Sequence, residues 1–406
     1  MTALAGLAEA AGVLRARDYR RWFLAQILSA SGGSTQAVGM AWLVVQLGGG
    51  GLELALVTGV LFLPTLLLGA ALGGLADRHD RRRLLILTQA AQIVLCLGLT
   101  VLAATGTARM WSLVAFSLAT GVAFAVDQPA RQLYVLDLVG RDRVASAISL
   151  NEVVINASRI LGPALGGAVL AISGTWVCFL VNGLTYVPAL IVLLITRPAA
   201  TTPVTAAAGR GDIRAGLRYC RRTPAIRACL LLAVTAGAVY NISVVMPLMV
   251  TRVFHAGGGA LGVLTAMFGV GAVPGAILSA AAGREPTGPE VRRLALATGV
   301  AVVLCALAPT LPLMMVALAV VGAVSIWFIA RANALVLISA EPRLRGRVMG
   351  VWTAALPGMN PVTGLLVGGL AGTAGPRAAY AVAGGAATVA ALSGWRALRR
   401  TQEEVF

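Results

Sequence analysis

Long apolar runs, broken by short polar stretches, carry nearly the whole chain. A membrane-spanning helix needs about 20 mostly apolar residues. Twelve segments meet that need, near 22–48, 53–76, 83–105, 110–127, 147–172, 175–196, 226–251, 258–282, 293–309, 311–331, 347–372 and 377–396. The first is long enough to tilt or to begin in the interfacial layer. The pattern predicts an all-α integral membrane protein with twelve transmembrane helices.

The polar stretches fix an orientation, because arginines concentrate in cytoplasmic loops. With the N-terminus inside, outer loops hold Arg109, Arg252 and Arg377, and Arg159 falls within a span. The other 28 of the 32 basic residues lie on the inner side. Both termini are therefore expected in the cytoplasm. The longest interruption, 197–226, starts as a Thr/Pro/Ala linker. It ends in the amphipathic stretch DIRAGLRYCRRTPAIR, which suits the membrane surface. It divides an N-terminal six-helix bundle (1–196) from a C-terminal one (227–406). The halves look related. Arg331 follows Arg131 by 200 positions, and Gly368 and Gly369 follow Gly166 and Gly167 by 202. Two pseudo-symmetric bundles are the expected architecture.

Composition sharpens the picture by exclusion. The chain is 406 residues long, 58% hydrophobic and 12% charged, where soluble proteins carry about 25% charge. The net charge of +17 is spread over loops as single arginines and short groups, which argues against a nucleic-acid partner. There is no lysine, so neither a Walker A phosphate loop nor Schiff-base chemistry is possible. His79 and His255 stand far apart and the five cysteines show no pairing, so no metal, cofactor or disulfide framework is expected. The N-terminus does not read as a cleaved signal.

Three motifs carry candidate chemistry. The first is GGLADRHDRRRLL, residues 73–85, between spans two and three. Small residues there let helices pack closely, and a carboxylate can pair with an arginine or a helix N-terminus. The second is SRILGPALGG, 158–167, in span five. Its glycines allow a close neighbour, and Pro163 permits a bend. The third is Glu152, Asn156 and Arg159, spaced i, i+4, i+7 on one face of the same helix. An ionisable residue inside a span is costly and marks function by default. Glu152 could carry a proton, and Arg159 needs a cavity or an acidic partner. Gln26, Ser29 and Gln36 in span one, Tyr240 and Asn241 in span seven, and Trp327 in span ten are cavity candidates. Each is also a plausible helix–helix contact.

The first motif resembles the signature loop of the major facilitator superfamily, with Gly73, Leu75, Asp77, Arg78, Arg81 and Arg82 on the pattern. Asp80 stands where many members have Gly. The resemblance implies a gating latch in which Asp77 and Arg81 bind the inner end of span four and the start of span eleven. Asp127 is the expected partner, with Arg131 nearby. The second motif resembles the Gly-Pro-x-x-Gly-Gly signature of the antiporter branches. Ser158 replaces its first Gly, and Gly162, Pro163, Gly166 and Gly167 match. Residues 127–167, 216–227 and 259–278 look like the subgroup with the enterobactin exporter and macrolide efflux proteins. The span-four arginine of many proton-coupled drug antiporters is absent. Only Gly121 of that motif remains, and Arg159 stands as its substitute.

These resemblances imply a monomeric transporter in the bacterial cytoplasmic membrane. It would export an amphipathic drug, siderophore or natural product by alternating access, with protons as the coupled partner. A metabolite importer on the same fold is the nearest alternative. A membrane prenyl transferase would need Asp-rich metal sites within helices, and the sequence has none. A non-transporting sensor or assembly factor is the alternative of another class. An enzymatic activity is not expected.

Overall fold

A computed structural model of the chain describes residues 12–140, 144–196, 213–239, 241–282, 284–341 and 344–393. Within them, the side chains of 69–78, 144–145, 148–149, 152, 213–217, 236, 238–239, 345–347, 350 and 353–358 are outside the description. The described residues form helices joined by short turns, with no strand.

The helices are α1 (Arg17–Gln46), α2 (Gly51–Arg78), α3 (Arg81–Ala104), α4 (Met110–Val139), α5 (Val144–Ile172) and α6 (Thr175–Ile195). Then follow α7 (Ile213–Arg222), α8 (Pro224–Val239), α9 (Ile242–Leu248) and a π-helical turn, Met249–Val253. The last five are α10 (Gly258–Ala281), α11 (Gly288–Ala306), α12 (Leu311–Ser339), α13 (Arg345–Thr373) and α14 (Pro376–Ser393). The described residues of each apolar segment read from the sequence lie largely on helix.

Seven of these helices are long and apolar enough to cross a membrane: α3, α4, α6, α10 and α12 over their full lengths, α2 over Gly51–Leu68 and α5 over Val153–Ile172. The others are diluted by small and polar residues. Helix α1 carries Arg17, Asp18, Arg20 and Arg21 in its first turns and buries Gln26, Ser29, Ser31 and Thr35. Helix α14 is built largely of Ala and Gly. Such faces suit close helix–helix packing inside a membrane protein, where lipid tails provide no hydrophobic contrast.

The chain forms two compact units. One joins Met1–Leu47 with Leu63–Ala206, and the other joins Gly48–Phe62 with Ala207–Phe406. Helix α2 is divided between them next to Pro64, which removes a backbone donor from the helix. In the second unit, Gly51 and Gly368 face each other so closely that a methyl on either would overlap the other's backbone. Gly271, Gly275 and Gly322 bring α10 and α12 equally close.

Span four is longer than the sequence pattern predicts. Helix α4 passes Asp127 and continues to Val139, and Gly140, with φ 74°, ends it by donating to the Leu136 carbonyl at 3.0 Å. Span seven is interrupted. Helix α8 stops at Val239, and α9 starts after Asn241, whose Nδ2 donates to the Gly237 carbonyl at 3.2 Å. Pro247 and the π-turn follow.

Candidate functional site

In the first unit, the loop between α2 and α3 is a tie point for three helices. Asp80 caps α3, accepting from the amides of Arg82 at 2.9 Å and Arg83 at 3.2 Å. Its departure from Gly thus supplies an N-cap to an α-helix that starts with three arginines. Arg81 donates to both carboxylate oxygens of Asp137, at 2.7 and 3.0 Å. Arg82 donates to the carbonyls of Leu193 at 2.6 Å and Leu194 at 2.9 Å. A guanidinium there satisfies carbonyls that the end of α6 leaves unpaired and complements the helix dipole. The side chains of Gly73, Asp77 and Arg78 lie outside the described residues.

The expected partnership of Arg81 with Asp127 is corrected. Helix α4 runs on to Val139, and Asp137, in its last turn, takes Arg81. Asp127 sits nearly three turns deeper in the helix, 5% exposed. It accepts from Thr88 Oγ1 and Gln89 Nε2, each at 3.0 Å, and from Arg131 Nε at 2.8 Å. Arg131 Nη2 also donates to Asp127, and its Nη1 donates to Gln26 Oε1. This network joins α1, α3 and α4 and neutralises both charges. A buried charge is tolerated only when paired and hydrogen-bonded in this way. Thr88 and Gln89 were missed in the sequence. Two adjacent polar residues in an otherwise apolar span were their signal.

The span-five motif packs α5 on α1. A methyl on Gly162 would overlap Ser34 and the Ser31 carbonyl, and one on Gly166 would lie 3.1 Å from Val38 Cβ. Thr35 Oγ1 donates to the Gly162 carbonyl at 2.8 Å. Ser158, Pro163 and Gly167 are buried on the same helix, and Ser158 Oγ donates to the Ile155 carbonyl at 2.8 Å. On α5, Arg159 is half-buried and has no hydrogen-bond or ion partner among the described residues. The Glu152 side chain is outside the description. Asn156 is half-buried and has a partner of its own.

Three of the cavity candidates, Gln26, Gln36 and Asn241, make interhelical contacts. Gln36 accepts from Asn182 Nδ2 at 2.7 Å and from the Cys96 thiol at 3.1 Å, joining α1, α3 and α6. Asn241 donates to Thr363 Oγ1 on α13 at 3.0 Å. Ser29 is buried on α1. The Trp327 indole N–H is buried with no hydrogen-bond partner among the described residues. Tyr240 lies outside the described residues. In the second unit Arg331, the counterpart of Arg131, forks onto Glu290 at 2.8 and 2.9 Å and donates to the Arg284 carbonyl at 2.9 Å. Glu290 was not singled out in the sequence, although it is the acid that opens α11.

Comparison with known proteins places this geometry in a family. The profile of the transmembrane secretion effector family matches residues 8–405. The multidrug efflux pump Tap of Mycobacterium tuberculosis is 28% identical over 374 residues, covering 88% of this chain and 87% of that protein. The enterobactin exporter EntS of Citrobacter koseri is 24% identical, over 78% and 76% of the two chains. The MFS-type transporter YfiS of Bacillus subtilis is 27% identical, over 50% of this chain and 49% of its own length. The staphyloferrin A transporter of Staphylococcus aureus is 30% identical over 39% and 40%. The match thus spans half or less of these last two relatives. Among solved structures, a bacterial homologue of the human lysosomal transporter Spinster superposes with a TM-score of 0.74 at 15% identity, over 95% and 97% of the chains. The nucleoside transporter NupG gives 0.71 at 14%, over 94% and 99%. At these identities the likeness concerns the fold. The chain belongs to the transmembrane secretion effector family of the major facilitator superfamily and is a multi-pass membrane transporter.

Proposed function

We propose that this transporter exports an amphipathic small molecule (a drug, a siderophore or another natural product) by alternating access, coupled to inward proton flow. The observation that carries the reading is similarity along 88% of the chain to a multidrug efflux pump, joined by a weaker likeness to an enterobactin exporter. In this reading all twelve apolar segments span the membrane in two six-helix bundles, 1–196 and 227–406. The 197–226 linker and both termini lie in the cytoplasm, and one chain suffices for transport.

The Arg81–Asp137 pair and the Arg82 contacts at the end of α6 form the inner latch, with Gly73, Asp77 and Arg78 completing it. The Asp127–Arg131 pair holds the bundle behind that latch. The span-five motif sets the α1–α5 contact on which outward transport depends. Glu152, Asn156 and Arg159 form the coupling group.

Drug accumulation in a bacterial host deleted for its own efflux pumps tests direction. Expression of this chain should lower the steady-state level of at least one amphipathic antibiotic, and an uncoupler should restore it. Raised accumulation of a solute on expression would instead establish an importer.

A further inference from the structure

The short helix before span seven has two unlike sides. Cys220 of α7 is 1% exposed, in a core cluster shared with Val291 of α11 and with Val348 and Trp352 of α13. Tyr219 packs against the same cluster, and its hydroxyl accepts from the Glu341 amide at 3.2 Å. The protein's own core thus takes this side of the amphipathic helix. Arg218, Arg221 and Arg222, spaced i, i+3, i+4, share another face and are exposed. Cys220 lies roughly 160° round the helix from Arg222.

None of the three guanidiniums has a hydrogen-bond or ion partner among the described residues. Helix α7 itself contains no acid. Tyr219 and Cys220 fix its rotation, so the charged face cannot turn inward. The tie continues into α8. The Thr223 amide donates to the Tyr219 carbonyl, and the Thr223 carbonyl accepts from the Arg227 amide, each at 3.0 Å.

Helix α8 marks the level at which lipid begins. Arg227 is exposed, and Leu231, one turn further on the same stripe, is 58% exposed. Cys229, Leu232 and Ala233 bury the opposite side. Helix α11 packs against the same cluster and repeats the arrangement, with exposed Arg293 ahead of exposed Val300 and Leu304. A guanidinium that ends an exposed apolar stripe sits at headgroup level, its stem on hydrocarbon and its charge among phosphates. Arg218, at the far end of the basic face, is nine positions from Arg227.

We infer that the basic face of α7, together with Arg227, is a docking surface for anionic phospholipids of the cytoplasmic leaflet. Its guanidiniums match the charge and the paired oxygens of a phosphodiester headgroup. The inference rests on the cytoplasmic placement of the 197–226 linker proposed above and adds the lipid which that linker meets. It does not depend on which solute is carried.

Lipid retention by the purified full-length protein tests it. The protein is captured from detergent micelles holding equimolar dioleoyl phosphatidylglycerol and dioleoyl phosphatidylcholine, washed, and its bound lipid extracted. The wild type should hold phosphatidylglycerol over phosphatidylcholine on the order of tenfold, since each basic residue near an anionic surface contributes about fivefold. Replacing Arg218, Arg221, Arg222 and Arg227 together by Gln should bring the ratio close to one, and replacing them by Lys should keep most of it. Replacing Arg15, Arg17, Arg20 and Arg21 of the first unit by Gln removes the same charge and should lower the ratio far less.

A wild-type ratio near one would overturn the surface, as would an equal fall in the two Gln variants. Displacement of phosphatidylglycerol by millimolar inorganic phosphate would make a free anion the ligand and overturn the lipid assignment. Higher retention after deletion of residues 401–406, which carry Glu403 and Glu404, would make the chain's own acidic end the occupant and overturn it too. Micelles have no sides, so placement is read separately. All five cysteines are buried, and a membrane-impermeant maleimide should label Arg218→Cys in sealed inverted vesicles. Labelling only in right-side-out vesicles would overturn the cytoplasmic leaflet assignment. If the fourfold Gln variant does not fold, Arg227→Gln alone and the loss of the wild-type preference at high salt still decide the matter.

Discussion

At the scale of single residues, polar groups in this chain are settled by their neighbours within one helix or across one seam. Arg331 and Glu290 are the plainest example, at 5% and 7% exposure, with a two-pronged contact. Glu290→Gln leaves a buried guanidinium without its carboxylate, a change that costs about 3–5 kcal/mol. Thermal unfolding of the purified protein should show a large fall in midpoint. Removing the exposed Asp18–Arg21 pair, 3.8 Å apart, should shift it little, since such pairs contribute about 0–1 kcal/mol. An equal shift for both substitutions would contradict the buried-pair account. The sequence marked Arg331 through its repeat relation to Arg131, but the two found counter-charges differently. Arg131 uses an acid one turn back on its own helix, and Arg331 uses one on α11. Repeat symmetry relates the arginines and does not specify their partners.

At the scale of elements, hydrophobic pattern located the long apolar helices, and polar residues misled about where some ended or broke. Asp127 read as the end of span four because a charge ordinarily leaves the bilayer. Arg131, Thr88 and Gln89 satisfy it, so α4 continues to Val139. No pattern within span four announces those partners, two of which come from α3. Span seven read as one run, although Asn241 and Pro247 gave notice of its break. That α5 has a close neighbour was legible from its glycines, whereas the identity of that neighbour as α1 comes from the structure. Gly162→Val should overpack that seam and destabilise the protein by about 1–3 kcal/mol. Gly98→Ala is the matched control: nothing lies within 4 Å of its Cβ position, and alanine favours helix. Thermal midpoints should fall for the first and hold or rise for the second. A seam that tolerates Val without loss would show that α1 and α5 do not meet as described.

At the scale of the whole molecule, composition alone set the class. A chain with 58% hydrophobic and 12% charged residues cannot hide that much apolar surface from water without a membrane. The family match along residues 8–405 agrees with it. The candidate site was only partly legible. Arg159 stood out because a span tolerates few charges, and the described residues give it no hydrogen-bond or ion partner. Gln26 was read as a cavity residue from its type and place, and the structure gives it half a role in holding Arg131.

The central claim is that a solute leaves the cell as protons enter. In inverted membrane vesicles energised to an acidic interior, a pH-sensitive dye reads it directly as antibiotics and siderophores are added in turn. The account predicts that at least one amphipathic solute releases protons from vesicles holding the wild type. Glu152→Gln and Arg159→Ala, inserted at equal levels, should release few. Solute uptake into the same vesicles with no proton movement, or variants that match the wild type, would contradict proton-coupled export through span five.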